Sequence, residues 1–427
     1  MNGASRIFAL FILGAIWLAG AAPVAGAGTT AFRHGIGITA MAWAAVEPGP
    51  GKAFAFPPFG GPSYALTSEE LQTLRRTGFD FVRLAVDPGP FLQFQGARRE
   101  LLNRVLVDRV KLILAAGLAV VVDFHPSDMH PDYTAQALTS GLQTPVFQSY
   151  LQMLRDAARL LGQFHSRRIA LELMNEPPIA PGRWQPMLEA AYAAARGSSG
   201  DLVLVVEGGD EASVPAFMQM RTAAFAGDPA VLYSFHYYEP YQFTHQGAPW
   251  NAARYLADVP YPARARPLDD SLTATAATIA ATDLSGLRKS LAYRDAQARL
   301  EEYRASGFDG GTIAKSFDEI TRWAQSQGIP PDRVMLGEFG ARETALQHNG
   351  ERARERARWF HDVSAAAAAD GFGWAVWAYR GGGGFALAES DAGSEIEPGV
   401  AQALGLGSRA PRRAEVMPPA RAVPPMP

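Results

Sequence analysis

Cysteine is missing from all 427 residues. That excludes a disulfide framework, a thiol nucleophile and any thiolate-held metal. Net charge is nearly missing too: 39 basic against 42 acidic residues leave −3, which offers no field to draw nucleic acid or an anionic membrane surface. Charged residues make up only 19% of the chain and hydrophobic ones 48%. Bulk disorder is thereby excluded, and a chain of this length can be stable on its core without cross-links. A comfortable membrane span is also lacking. The apolar run at residues 7–18 is followed by Gly20, Pro23 and Gly26, which cut it short. With Arg6 before it and the small residues Ala25-Gly26-Ala27 after it, the run reads as a secretory signal, residues 1–27, cleaved so that the mature chain starts near Gly28 outside the cytoplasm. The expected product is a secreted or periplasmic monomer with no membrane insertion once the signal is gone.

What the mature part does have is alternation. Short apolar segments at 34–39, 79–86, 118–125, 169–176, 202–207, 231–238, 334–338 and 372–379 read as strands. Between them 68–77, 101–116, 147–164, 187–196, 313–327 and 352–369 carry apolar residues at i, i+3 and i+4 and read as helices. Eight strand–helix units predict an α/β fold, a (β/α)8 barrel spanning residues 28–407. An open doubly wound sheet is the alternative. It would want a glycine-rich phosphate loop after its first strand, and Gly35-Ile36-Gly37 has neither a third glycine nor a helix behind it.

Strand parity tests the barrel independently, because one face of each strand meets the helices and must be apolar. Val82, Leu84 and Val86 on the second strand leave Phe81, Arg83 and Ala85 inside. On the third, Val120, Val122 and Phe124 leave Asp123 and His125 inside. On the fourth, Leu171 and Leu173 face one way and Glu172, Met174 and Glu176 the other. On the sixth, Tyr233 and Phe235 leave Ser234, His236 and Tyr238 inside. Val334, Leu336 and Glu338 are expected to share the inner face of the seventh, and Trp377 and Tyr379 that of the eighth. Most of these polar inner residues fall at the C-terminal strand ends, where barrel active sites lie.

Two stretches fall outside the alternation. Residues 239–332 join the sixth and seventh strands; 241–267, rich in aromatics and proline, is expected to be a site-covering loop, and 291–304 has a helical pattern. The tail 408–427, with Pro and Arg and no periodicity, is expected to be disordered.

The chemistry converges on two carboxylates. In Leu171-Glu172-Leu173-Met174-Asn175-Glu176-Pro177-Pro178 an apolar segment delivers Asn175 and Glu176 to its end, and Pro177 stops the strand there. Glu338 ends the seventh strand. Paired carboxyls across a sugar-sized cleft suit glycoside hydrolysis, one protonating the leaving oxygen while the other attacks the anomeric carbon. Glu172, one pleat deeper than Glu176, reads as a buried partner for Arg83 or a histidine, and Glu207, followed by Gly208-Gly209-Asp210, as a structural residue at a turn. Trp43, Trp184, Tyr241 and Trp250 suit outer sugar subsites and plain packing about equally.

Asn175-Glu176-Pro177 with Gly337-Glu338-Phe339-Gly340 resembles the retaining glycoside hydrolases of clan A, and most of all glycoside hydrolase family 5, the cellulase family; the likeness runs over residues 32–406. The resemblance implies Glu176 as acid/base and Glu338 as nucleophile. It implies Asn175 as the residue that bonds the sugar 2-hydroxyl, Arg83 as the support of the nucleophile and His125 beside the glycone. His236 and Tyr238 match the His-x-Tyr of the sixth strand, the tyrosine bonding the nucleophile, and Trp377 matches the sugar platform of the eighth. Many family members carry two adjacent histidines after the third strand, whereas here Pro126 follows His125. The partner implied is a β-glycan polysaccharide or oligosaccharide. A β-1,4-glucan cut internally is the leading substrate, with β-mannan, β-1,3-glucan or exo action as alternatives on the same core. No cofactor and no metal is expected. Two competing readings are weaker. A metal cluster in His125, Asp128, His130 and Asp132 lacks the His-x-His of a first strand, and a non-catalytic sugar-binding barrel would have no use for both glutamates.

Overall fold

The computed structural model describes residues 31–49, 53–343, 350–388 and 395–407. The predicted signal segment and the tail 408–427 lie outside them. Eight strands run β1 (His34–Met41), β2 (Phe81–Val86), β3 (Ala119–Phe124), β4 (Ile169–Glu172), β5 (Val203–Glu207), β6 (Val231–Tyr237), β7 (Val334–Phe339) and β8 (Gly373–Val376). Each pairs in parallel with the next, and β8 pairs with β1 to close a barrel. The (β/α)8 architecture expected from the alternation is what forms.

The crossover helices are α1 (Ser68–Thr77), α2 (Gly96–Ala115), α3 (Pro145–Gly162), α4 (Pro181–Arg196), then α5 (Leu268–Ala280), α6 (Gly286–Ser306) and α7 (Gly310–Ser326) between β6 and β7, and α8 (Glu351–Ala369). Their starts follow local chemistry. Thr67 and Glu70 form a reciprocal capping box on α1, and Thr144 caps α3 with Pro145 in its first turn. The fifth crossover differs, with only a turn at Gly209–Ala212 and a four-residue helix, Val214–Phe217.

Two apolar layers follow from strand parity. Phe81, Val121, Ala170, Val205, Leu232 and Met335 fill the barrel floor, while Val82, Leu84, Val122, Leu171, Phe235 and Trp374 belong to the large cluster beneath the helices. Above the floor the interior turns polar, with Arg83, Asp123, Glu172, Ser234 and His236 all buried.

Parity fails at three strand ends. On β7 it is Met335 that points to the floor, and Val334 and Leu336 lie in the outer cluster. Glu338 still reaches the interior because the register slips: Phe235 pairs with Leu336, but His236 pairs with Glu338, leaving Gly337 as an extra residue. On the fourth segment the strand stops at Glu172, so Met174 packs outward with Leu171 and Leu173. On the eighth, Tyr379 packs in the outer cluster beyond the strand's end.

Candidate active site

Arg83, buried on β2, organises the polar layer. Its Nε donates to Glu172 Oε2 at 2.8 Å, and its Nη2 donates to Glu172 Oε1 at 2.5 Å and Asn175 Oδ1 at 2.7 Å, with Asp123 Oδ2 at 3.1 Å. Its Nη1 donates to Glu338 Oε1. Glu172 is thus the buried partner of Arg83. One guanidinium facing three carboxylates leaves a surplus of negative charge, which the two histidines offset. Burial opposes charge on both, yet each is pushed up: His125 by Asp123, whose Oδ2 lies 2.9 Å from its Nδ1, and His236, well above the usual imidazole range, by Glu207 and Glu338.

Glu176 lies just past β4 with φ 45, a conformation that costs a non-glycine residue energy and must be held from outside. Glu207, at the end of β5, holds it: its Oε2 accepts the Glu176 N–H at 2.9 Å. The other oxygen, Oε1, accepts the Ser234 hydroxyl at 2.9 Å and sits 2.9 Å from His236 Nε2. The opposite ring nitrogen, Nδ1, lies 2.8 Å from Glu176 Oε1. Asn175 and Glu176 therefore both enter the site although they are neighbours in sequence, because the chain turns between strand and loop. Burial would raise Glu207, but His236 outweighs it and brings the carboxyl down to about 2.

The two glutamates at the centre are driven apart. Burial and the Glu338 charge raise Glu176 above the ordinary carboxyl range against the pull of His236. Glu338 is more buried than Glu176, yet His236, Arg83, His125 and the Tyr238 hydroxyl, which donates to its Oε2 at 2.8 Å, bring it below that range. An oxygen of each carboxyl, with one nitrogen of His236, fall within 4.8 Å of one another. One group is poised to give a proton and the other to attack or stabilise.

All eight residues singled out from the sequence (Arg83, His125, Asn175, Glu176, His236, Tyr238, Glu338 and Trp377) meet in this one constellation. The Trp377 ring lies parallel to His125, centroids 5.3 Å apart, and Trp43 meets both edge-on. Sequence reasoning undervalued Glu207. Its strand-end position was a usable signal, but the turn behind it drew the reading toward a purely local role. Other candidates fall elsewhere. Trp184 is buried with its indole N–H on Glu207 O, so it packs and binds nothing in the cleft. His130 is stacked on Phe54 and accepts the Asp132 N–H.

The site opens into a cleft of about 1580 Å³ that also takes in Trp43, Tyr64, Tyr241 and Trp250. Trp43, Tyr241 and Trp250 are 37%, 40% and 56% exposed, and the last two come from the 241–267 loop, which lines the cleft as expected of a covering loop. Gly383 (φ 66) lets the loop after β8 pass under Trp250, where a Cβ would lie 2.5 Å from the ring.

Among the described residues, the triplets with ligand atoms close enough for a metal are Asp123/His125/Glu338, Glu172/Glu207/His236 and Glu176/His236/Glu338. Each is already threaded by Arg83 or by a histidine whose pKa its carboxylate neighbours push up. Of the 125–132 cluster only His125 enters one of them; Asp128, His130 and Asp132 do not.

The model of the family Cellulase (glycosyl hydrolase family 5) matches residues 48–383. Endoglucanase 3 of Fibrobacter succinogenes is 23% identical over 367 residues, 81% of this chain and 50% of that protein. The chain spans about half the length of the curated relatives it matches. Among solved structures an endoglucanase superposes with a TM-score of 0.62 at 18% identity, over 88% of this chain and 97% of its own. Thermotoga maritima Cel5A in complex with mannotriose does so with a TM-score of 0.60 at 16% identity, over 88% and 98%. At such identities the superpositions establish the fold.

Proposed function

The chain belongs to glycosyl hydrolase family 5, the cellulases, and from that premise we propose that it hydrolyses β-1,4 bonds inside a glucan chain with retention of anomeric configuration, outside the cytoplasm. The observation that carries the reading is the pairing of Glu176 with Glu338. Their oxygens fall within 4.8 Å of each other. That spacing suits double displacement, for which carboxyl groups sit about 5–5.5 Å apart, and leaves no room for the water of a single displacement.

In the first step a Glu338 oxygen attacks the anomeric carbon as the bond to the leaving oxygen breaks, and Glu176 gives that oxygen its proton. The glycosyl ester on Glu338 is then cleaved by a water that gives its proton back to Glu176. Arg83 and Tyr238 hold the attacking carboxylate ionised and aimed. Asn175 is placed between Arg83 and His125 to meet the sugar beside the reacting carbon, and Trp377 offers an apolar face to the ring. Exposed aromatic residues along the cleft, Trp43, Tyr241 and Trp250, support internal cleavage of a long chain. Mannan remains a second reading, since a protein of similar fold is known in complex with mannotriose.

The test is NMR of the first-formed product on soluble β-glucans and mannan. Retention of the β-anomer is expected, and an α-product would end the double-displacement reading. Glu338→Gln should lower kcat by about a thousandfold or more with the fold intact; equal rates in variant and wild type would remove Glu338 from its role, and binding without hydrolysis by the wild type would favour a barrel that only binds glycan.

A further inference from the structure

The loop that follows β6 brings Phe243-Thr244-His245-Gln246 to the wall of the cleft, and no step of the double displacement calls on it. His245 is buried there. Its ring lies nearly parallel to that of Tyr241, centroids 3.9 Å apart, and meets Tyr238 edge-on at 5.1 Å and Phe385 at 5.0 Å. Phe385 also meets Tyr238 edge-on, at 5.7 Å. His245 thus sits in a box of rings, one of which carries the hydroxyl that bonds Glu338.

Polar contacts fix the ring further. Its Nδ1 lies 3.0 Å from the buried Thr244 hydroxyl, which donates to the Tyr238 carbonyl at 2.6 Å. A threonine hydroxyl has one proton to give, so Nδ1 is the donor between these two. The Arg342 N–H donates to the Thr244 carbonyl at 2.8 Å, which brings that arginine close. Burial, with the Arg342 charge behind it, brings the His245 pKa down to about 3. The ring is therefore uncharged at neutral pH. Tyr238 needs such a brace. β6 ends at Tyr237, so Tyr238 lies outside the strand ladder, and ring contacts must aim its hydroxyl at Glu338 Oε2, 2.8 Å away.

We propose that His245 is a positioning residue for the reaction: its ring, packed between Tyr241 and Tyr238, holds the Tyr238 hydroxyl on the attacking carboxylate. The inference rests on the reading of Glu338 as nucleophile and extends it by one residue. His245 acts through the edge-to-face contact of two rings and not through a charge. Glu338 is faced by Arg83 on β2, His125 after β3, Glu176 after β4, His236 on β6 and Tyr238 just past it. Of these bonds, the one from Tyr238 depends on His245. Its loss takes a stabiliser from the carboxylate, so Glu338 gains a proton at higher pH than before.

The test separates ring from donor in pH profiles of kcat/KM on cellohexaose. His245→Asn keeps a donor near Thr244 without the ring, and His245→Met fills the space without it. His245→Phe keeps the ring without the donor, and thermal midpoints report folding. Either ringless variant should lower kcat about tenfold and move the acid limb to higher pH, as Tyr238→Phe does. His245→Phe should keep both near wild type. On the Tyr238→Phe background the ringless changes should cost little more. An acid limb left in place by the folded ringless variants, or a full loss added to that of Tyr238→Phe, would overturn the positioning role while the hydrolase reading stands. Ringless variants that both fail to fold would assign the ring to stability and overturn it too. A wild type that cleaves neither β-glucan nor mannan would overturn the hydrolase reading and this role with it.

Discussion

The proposed double displacement asks one glutamic acid in the cleft to keep a proton at neutral pH that the other has lost, and the neighbours of each decide which. Burial and the Glu338 charge raise Glu176, so its acid form survives to higher pH and activity is lost as pH rises through that pKa. Glu338 is lowered by His236 and Arg83 against burial, so activity is lost at the other end, as pH falls through its depressed pKa. The rate should follow a bell whose limbs belong to the coupled pair. His236 pulls down both carboxyls, and its own charge depends on Glu207 before any other group. Glu207→Gln keeps an oxygen for the Glu176 N–H but takes away the charge beside His236 Nε2. The imidazole then holds its proton less well, and both limbs should move to higher pH, with kcat down about tenfold and KM little changed. A residue that served only the fold would lower the rate at every pH and leave the limbs in place; that result would sink the positioning role.

Strands and helices were legible where a buried face is written in apolar residues. All eight strands and helices such as α1, α3 and α8 follow from periodicity, because each packs a continuous stripe such as Phe147, Leu151 and Leu154 on α3. The helix α5 was not legible. Its buried stripe is Ser271, Thr275 and Ile279, and the first two are held by hydrogen bonds to the Asp258 carbonyl and from the Ala257 N–H instead of by apolar burial. The site residues were legible as residues but not as geometry. A bulge is invisible to alternation, so parity placed Leu336 and Glu338 on one face when Gly337 separates them. Gly337 can be nothing larger without a shift: a Cβ there would lie 2.3 Å from Ser234 Oγ and 3.1 Å from the His236 ring. Gly337→Ala should destabilise the protein by about 1–3 kcal/mol and lower kcat by displacing His236, as read by urea unfolding and steady-state rates. Adding Ser234→Ala removes the closest atom and should return part of both losses; strict additivity of the two changes would argue against contact at the bulge.

The molecule as a whole has to hold a long insertion over its cleft, and it adds charge to the buried apolar anchors Phe243, Leu256, Val259 and Tyr261. The loop 241–267, which carries Tyr241 and Trp250 into the cleft, is tied to α8 by charge. Asp258 accepts from Arg352 Nε at 2.5 Å and Nη2 at 2.6 Å and lies 2.9 Å from Arg266 Nη2, while Arg266 Nε donates to Glu355 at 2.9 Å. Tyr261 adds a bond to Asp362 and Trp359 one to the Glu239 carbonyl. Two arginines face the buried carboxylates Asp258 and Glu355, with the more exposed Asp270 3.8 Å from Arg266 at the rim, so removing one buried charge leaves another without its partner. Asp258 has φ 56, which asparagine tolerates as well as aspartate does, so Asp258→Asn changes the charge and leaves the backbone unstrained. Breaking such a pair with one partner buried costs about 3 kcal/mol, and the expected result at pH 7 is faster proteolytic cutting within 241–267, with the barrel intact and kcat/KM on long substrates reduced. Burial raises the Asp258 pKa less than Arg352 and Arg266 lower it. A depressed carboxyl gives stability that is present above its unfolded value and lost as pH falls through the folded one. The wild-type loop should therefore grow sensitive to an acid-active protease as pH drops below the ordinary aspartate range, and variant and wild type should converge there. Equal cutting of the two at pH 7 would mean that the apolar contacts of Phe243 and Tyr261, and not the ion pairs, hold the loop over the site.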